Sequence, residues 1–217
     1  MSEYVLYHGN KNYSSWSMRA WLALKASGVD FDEVAFHLGE ADVRDRIREH
    51  SPTGRVPALR HGNLTIWDSL AIGEYLAEQA PDAGLWPTRG DARAVARSVC
   101  AEMHSSFQAL RTHMPFNVRR SSPGKGRAPG VGEDIERIVR IWNDCRTSYG
   151  ENGAFLFGGY CLADVFFAPV VGRFNTYAVE LDDVSKSYAS SIREHPDVKD
   201  WVKAADEEDW VEPEYDL

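Results

Sequence analysis

Three short segments in the first seventy residues hold side chains suited to holding an anion and easing ionisation of a thiol. The first, Asn12-Tyr13-Ser14-Ser15-Trp16-Ser17-Met18-Arg19, stands just ahead of an apolar run. Serine hydroxyls at a helix N-terminus sit among unpaired amide donors and a partial positive charge, so they can donate to an anion or favour a thiolate. The same serines also serve as plain helix caps. The second segment, Ser51-Pro52-Thr53-Gly54-Arg55-Val56-Pro57-Ala58-Leu59, places a proline at the start of a strand. An edge-strand proline accounts for it; a cis Val56–Pro57 bond would instead turn the Val56 amide and carbonyl outward, towards an extended peptide. The third, Trp67-Asp68-Ser69-Leu70-Ala71-Ile72, reads as a strand entering a helix. Ser69 suits a carboxylate and Asp68 an ammonium, unless both only cap.

These segments need a scaffold that brings them to one edge. Tyr4 to Tyr7 has the length of a buried strand, and residues 15–27 read as a helix that Gly28 caps. Val34, Phe36 and Leu38 alternate as a strand does, and residues 41–49 are charged and weakly helical. VPALR and LTIW flank a His-Gly-Asn turn, and Asp68-Ser69 opens a helix that Pro81 stops. The order β-α-β-α-β-β-α is the thioredoxin-like arrangement, an α/β domain over residues 1–80 with one parallel pair and an antiparallel edge. Residues 81–90, with two prolines and two glycines, read as a linker. Residues 91–217 read as an all-α helical bundle, with helices over 91–113, 133–149, 162–178, 185–193 and 197–207 and a Gly/Pro-rich loop at 119–132. The acidic end, DEEDWVEPEYDL, reads as a loosely packed tail with Trp210 as its anchor. Cys161-Leu162-Ala163-Asp164 reads as a capping-box helix start, structural and not catalytic, with Cys161 in place of the usual Ser or Thr.

Bulk properties narrow the function. In 217 residues the formal net charge is −9, hydrophobic residues make up 43% and there are seven tryptophans. A packed core is expected, without the basic footprint of a duplex binder. No secretory signal opens the chain and no run of about 20 apolar residues crosses a membrane. Three well-separated cysteines fit a reducing compartment and exclude a CxxC site; the histidines lack metal-ligand spacing. The expectation is a cytoplasmic protein with no metal, nucleic-acid or membrane partner.

Taken together, on this element order, the three segments resemble the N-terminal domain of the glutathione transferase superfamily. The Ser-Ser-x-Ser-x-Arg segment is most similar to the zeta class and its bacterial relatives, whose members include maleylacetoacetate isomerases. The resemblance implies glutathione as co-substrate, with Ser14 or Ser15 donating to its thiolate. It implies that Asp68 and Ser69 hold the γ-glutamyl end, and that Val56, before a cis Pro57, holds the cysteinyl backbone. Tyr13, Trp16, Arg19 and Arg55 are further glutathione contacts by position. Trp16 stands where zeta-like members carry a cysteine, which disfavours thiol-transfer chemistry. A second substrate, an electrophile, is expected between the domains, near His104, Ser105, Arg111 and Asn117. The resemblance further implies a homodimer. The function expected is thiolate attack on an electrophile or glutathione-assisted isomerisation; the alternative is a non-catalytic interaction or carrier protein on the same fold.

Overall fold

The computed structural model describes residues 2–151 and 153–213. Four strands, β1 (Tyr4–Gly9), β2 (Phe31–Phe36), β3 (Ala58–His61) and β4 (Leu64–Trp67), form one mixed sheet in the order β2-β1-β3-β4. Strand β1 runs parallel to β2, with Val5 opposite Asp32, and antiparallel to β3, with Tyr7 opposite Ala58. The parallel pair needs a crossover, which helix α1 (Ser15–Ser27) supplies; β3 and β4 need only the tight turn at Gly62, whose φ is 57°. Strand β2 begins earlier than its Val34-Phe36-Leu38 alternation predicts and stops at Phe36. The Leu38 amide has left the ladder to donate to Asn10 Oδ1 at 2.8 Å.

Helix α1 is buried on nearly all sides because the sheet lies on one face and helices on the other. Gly28, with φ of 72°, ends it as expected. The short α2 (Val43–Arg48) covers the other sheet face, where Val5, Tyr7, Phe36, Val43 and Ile47 form a small separate core. Helix α3 (Ser69–Gln79) follows β4, and Gly73 on it packs Leu162 so closely that a Cβ would stand 3.4 Å from its methyls.

The rest is helical: α4 (Gly90–Ser105), α5 (Gln108–His113), α6 (Val131–Tyr149), α7 (Leu162–Thr176), α8 (Asp183–Glu194) and α9 (Pro196–Asp206). Helix α7 is apolar all round and lies at the centre, sharing one continuous core with Leu6, Leu22 and Leu59 of the sheet region. At its start the Cys161 amide donates to Asp164 Oδ2 at 2.9 Å while the thiol faces the Asp164 amide, the expected capping box. Asp164 Oδ1 also accepts from the Leu156 amide, tying down the preceding loop.

Two expectations need correction. The segment 91–113 is not one helix: Phe107, buried and with φ of 64°, breaks it into α4 and α5. The acidic tail is not loose either. Glu212 is 5% exposed and Trp210 stacks on His37, so the segment is fastened to the sheet region. Its last four residues lie outside those described. Among the described residues no helix is long and apolar enough to cross a membrane.

Candidate active site

A cavity of about 440 Å³ opens where the starts of α1, β3 and α3 converge, lined by Trp16, Val56, Pro57, Asp68 and Ser69. The three segments singled out by residue type thus meet at one place. Val56–Pro57 is cis. Asp68, with φ of 78°, caps α3 by accepting from the Leu70 amide at 2.8 Å. The Ser69 hydroxyl is fully buried and, among the described residues, has no hydrogen-bond partner, an unspent polar group at a helix N-terminus. Arg44, Thr53 and Trp67 also line the cavity beside the exposed Arg55. Thr53 and Trp67 belong to the second and third segments, although neither was given a role; Arg44 lies outside all three, on the charged segment expected to be weakly helical.

Ser14 and Ser15 lie a residue or two before Trp16 and do not themselves line the cavity. Ser14 is the α1 cap: its hydroxyl accepts from the Ser17 amide at 3.2 Å and donates to Ser17 Oγ at 2.8 Å. Ser15 Oγ accepts from Arg173 Nη2 at 3.2 Å, which leaves its own proton to give. Both hydroxyls are buried.

Two guanidiniums lie beside Trp16, and a third, Arg173, beside the neighbouring Ser15. Arg19 is fully buried, among the described residues none of its three nitrogens has a hydrogen-bond partner, and it stands 4.7 Å from the Trp16 ring centre and 5.1 Å from that of Phe166. Arg111 lies 5.0 Å from the same indole, with Nε donating to the Ser106 carbonyl at 2.9 Å and Nη2 to that of Met103. Arg173 donates Nε to the Met114 carbonyl at 2.9 Å, and its Nη1 is unpaired. Among the described residues no carboxylate lies within ion-pair distance of any of the three. Burial pushes all three pKa values down, and for Arg19 and Arg173 the neighbouring arginines push further, Arg173 to about 9. Buried like charges without a counter-ion are costly, and an anion entering among them relieves that cost.

His104 links the two clusters. Its Nε2 is 3.2 Å from Asp68 Oδ2, and its ring meets Trp16 edge-on at 5.1 Å. Burial lowers its pKa, Asp68 raises it, and Arg19 and Arg111 lower it again; the net shift is downward, so the ring is neutral at neutral pH. Of the other residues expected near a second substrate, Ser105 donates to the Ala101 carbonyl of its own helix and is exposed. Asn117 is buried and, with Tyr13, lines a different cavity near Arg119. Arg173 escaped sequence reasoning altogether. The signal was there: it is the one basic residue in the apolar run Leu162–Thr176.

The family described as Glutathione S-transferase, N-terminal domain, matches residues 13–79. The chain is 36% identical over 186 residues to the maleylacetoacetate isomerase of Rattus norvegicus, covering 82% of this chain and 81% of that protein. It is 28% identical over 180 residues to the maleylpyruvate isomerase of a Ralstonia species, covering 79% and 85%. Among solved structures, a glutathione transferase homolog from Burkholderia with bound glutathione superposes with a TM-score of 0.71 at 26% identity, over 94% of this chain and 98% of that one.

Proposed function

The chain belongs to the glutathione S-transferase family, and on that premise we propose that it binds glutathione in the 440 Å³ cavity and directs its thiolate at a small anionic electrophile. The Ser69 hydroxyl and the α3 N-terminus meet the γ-glutamyl carboxylate, Asp68 meets the ammonium, and the Val56 backbone meets the cysteinyl unit. Arg44 and Arg55 stand ready for the glycyl carboxylate. The sulfur then points at the start of α1, where Ser14 or Ser15 donates to the thiolate as the thiol proton leaves.

The observation that carries the second half is the arginine cluster: Arg19 and Arg111 lie against Trp16, Arg173 reaches the neighbouring Ser15, and among the described residues no carboxylate is within ion-pair distance of the three. A site built this way takes a substrate with at least one carboxylate and stabilises negative charge developing next to it. Two relatives are named for isomerising maleyl acids. For a cis-unsaturated diacid the balanced sequence is short. The thiolate adds to the double bond, forming a C–S bond and a carbanion delocalised onto a neighbouring carbonyl. The former double bond rotates as a single bond; the C–S bond then breaks, restoring the double bond as trans and returning the thiolate. With a substrate that bears a leaving group, the same attack ends as a transfer. Residues 1–80 hold glutathione in this reading and residues 91–217 supply the second subsite, joined by a linker at 81–90; the working form is a cytoplasmic homodimer.

Calorimetric titration with reduced glutathione in two buffers of different ionisation enthalpy tests the proposal. Saturable binding with release of a fraction of a proton near neutral pH is expected. Binding without release removes thiol activation, and no binding removes the reading altogether.

A further inference from the structure

We propose that the acidic segment Glu208–Glu212 is a positioning element for the start of α1: it braces the loop of residues 10–13 and so sets where Ser14 and Ser15 stand. The proposal rests on the glutathione reading above. The Lys11 and Asn12 amides both donate to the Glu208 carboxylate, at 2.9 and 3.3 Å. Asn10 Nδ2 donates to Glu212 Oε1 at 3.0 Å, and the Asn10 carbonyl in turn accepts the Ser14 amide at 2.9 Å. The chain of contacts therefore runs from Glu212 through Asn10 to Ser14. On the other side of the loop, the Val118 amide donates to the Asn12 carbonyl and the Arg119 amide to Asn12 Oδ1.

The segment is itself clamped. Arg119 donates to the carbonyls of Glu208 and Trp210, at 2.6 and 2.8 Å. The Trp210 ring lies 5.3 Å from that of His37, nearly parallel, and the Gly39 amide donates to Glu212 Oε1 at 2.8 Å. A side chain at Gly39 would displace the Glu212 carboxylate, since a Cβ would stand 2.2 Å from its Oε2. The attachment is chiefly polar; Val211 is 54% exposed. Two carboxylates aimed at one short loop enlarge no core, but they hold that loop in one conformation. Reaction rates are sensitive to placement: an error of about 1 Å can cost about a hundredfold.

The test compares wild type with the double variant Glu208→Gln/Glu212→Gln and, separately, Gly39→Ala, which displaces Glu212 while leaving the segment's own residues intact. Three quantities are read: the pKa of the bound glutathione thiol from its ultraviolet thiolate absorbance, the glutathione Kd, and amide hydrogen exchange of residues 11–18 in the free protein. Expected are a Kd within about twofold, since the Val56 and Ser69 segments are untouched, a thiol pKa moved up towards that of free glutathione, and turnover lowered about tenfold. Exchange at residues 11–18 should quicken. Unchanged thiol pKa and turnover alongside a lowered melting temperature would overturn the proposal, leaving the segment a stabiliser only. If wild type binds no glutathione, the reading of the cavity falls and exchange alone decides: faster exchange in the variants upholds the brace, unchanged exchange overturns it.

Discussion

In the cavity, charge is met by short groups at chain ends: the Ser69 hydroxyl at the start of α3, the Val56 backbone and the Asp68 cap. Around Ser15 and Trp16, charge is met by three long guanidiniums drawn from α1, α5 and α7. The first arrangement costs the free protein less, since a buried hydroxyl without a partner costs about 1–3 kcal/mol and a buried unpaired charge more. The second holds two buried guanidiniums and the half-buried Arg111 with no carboxylate within ion-pair distance among the described residues. Specificity for the common thiol can thus rest on backbone geometry that any stable fold provides, whereas specificity for an anionic partner is held as destabilisation of the free protein.

Arg19→Met gives the largest effect and tests this contrast directly. Arg19 is fully buried and, among the described residues, makes no hydrogen bond, so an apolar chain of similar length in its place should stabilise the free protein. The melting temperature of the free protein should rise by roughly 2–4 °C per kcal/mol, by the size scaling for chains this long. Maleate, as a diacid probe, should raise the wild-type melting temperature and fail to raise that of the variant. A variant less stable than wild type would mean that Arg19 has a stabilising role in the free protein, and the contrast would break.

Ser69→Ala probes the other side. Losing one hydrogen bond to a carboxylate weakens glutathione binding by about 1–3 kcal/mol, while the free protein, freed of an orphan hydroxyl, keeps or gains stability. Calorimetry and thermal melts read both quantities. Unchanged affinity would displace the γ-glutamyl end from α3.

The same contrast explains what could be read in advance. The three cavity segments are local: a cap, a proline and a strand-to-helix junction each show their chemistry within six to nine residues, and the strand and helix order follows from periodicity. The arginine cluster is not local. Arg173 meets Ser15 across 158 positions, and its meaning comes only from the packing of α7 against α1. The break at Phe107 and the docking of Glu208–Glu212 on the loop of residues 10–13 likewise depend on partners remote in sequence. A buried arginine in an apolar run is a mark that sequence shows; which anion it awaits is not.

A paired cluster sharpens the comparison further. Glu33 accepts from Lys11 at 2.8 Å and from Trp21 Nε1 at 2.9 Å, with His8 Nε2 at 3.2 Å. Burial pushes its pKa up, but these donors outweigh it and hold the carboxyl at about 2, against an ordinary 4.5. Because the folded value is depressed, the stabilisation is complete above pH about 4.5 and is lost as pH falls towards 2. Glu33→Gln should therefore flatten that part of the acid limb in denaturant melts. An unchanged acid limb would show that the cations do not stabilise the carboxylate.

The smallest effect separates two helix starts that look alike. Helix α3 opens on Asp68-Ser69, where the Ser69 hydroxyl is unspent and faces the cavity; α7 opens on Cys161, where Asp164 and the backbone already satisfy one another. Sulfur accepts weakly, and burial pushes the Cys161 thiol's pKa well up, so it stays a thiol inside the capping box. A serine hydroxyl at that position accepts better from the Asp164 amide, in a site where a good cap is worth about 0.5–2 kcal/mol over none. Part of that gain is offset by the smaller oxygen filling less of a fully packed pocket. Cys161→Ser should leave the melting temperature unchanged or slightly raised, with glutathione affinity and turnover at wild-type values. A clear drop in melting temperature would mean that packing around the sulfur, not the cap, holds α7. A drop in affinity would mean that the two helix starts are not independent.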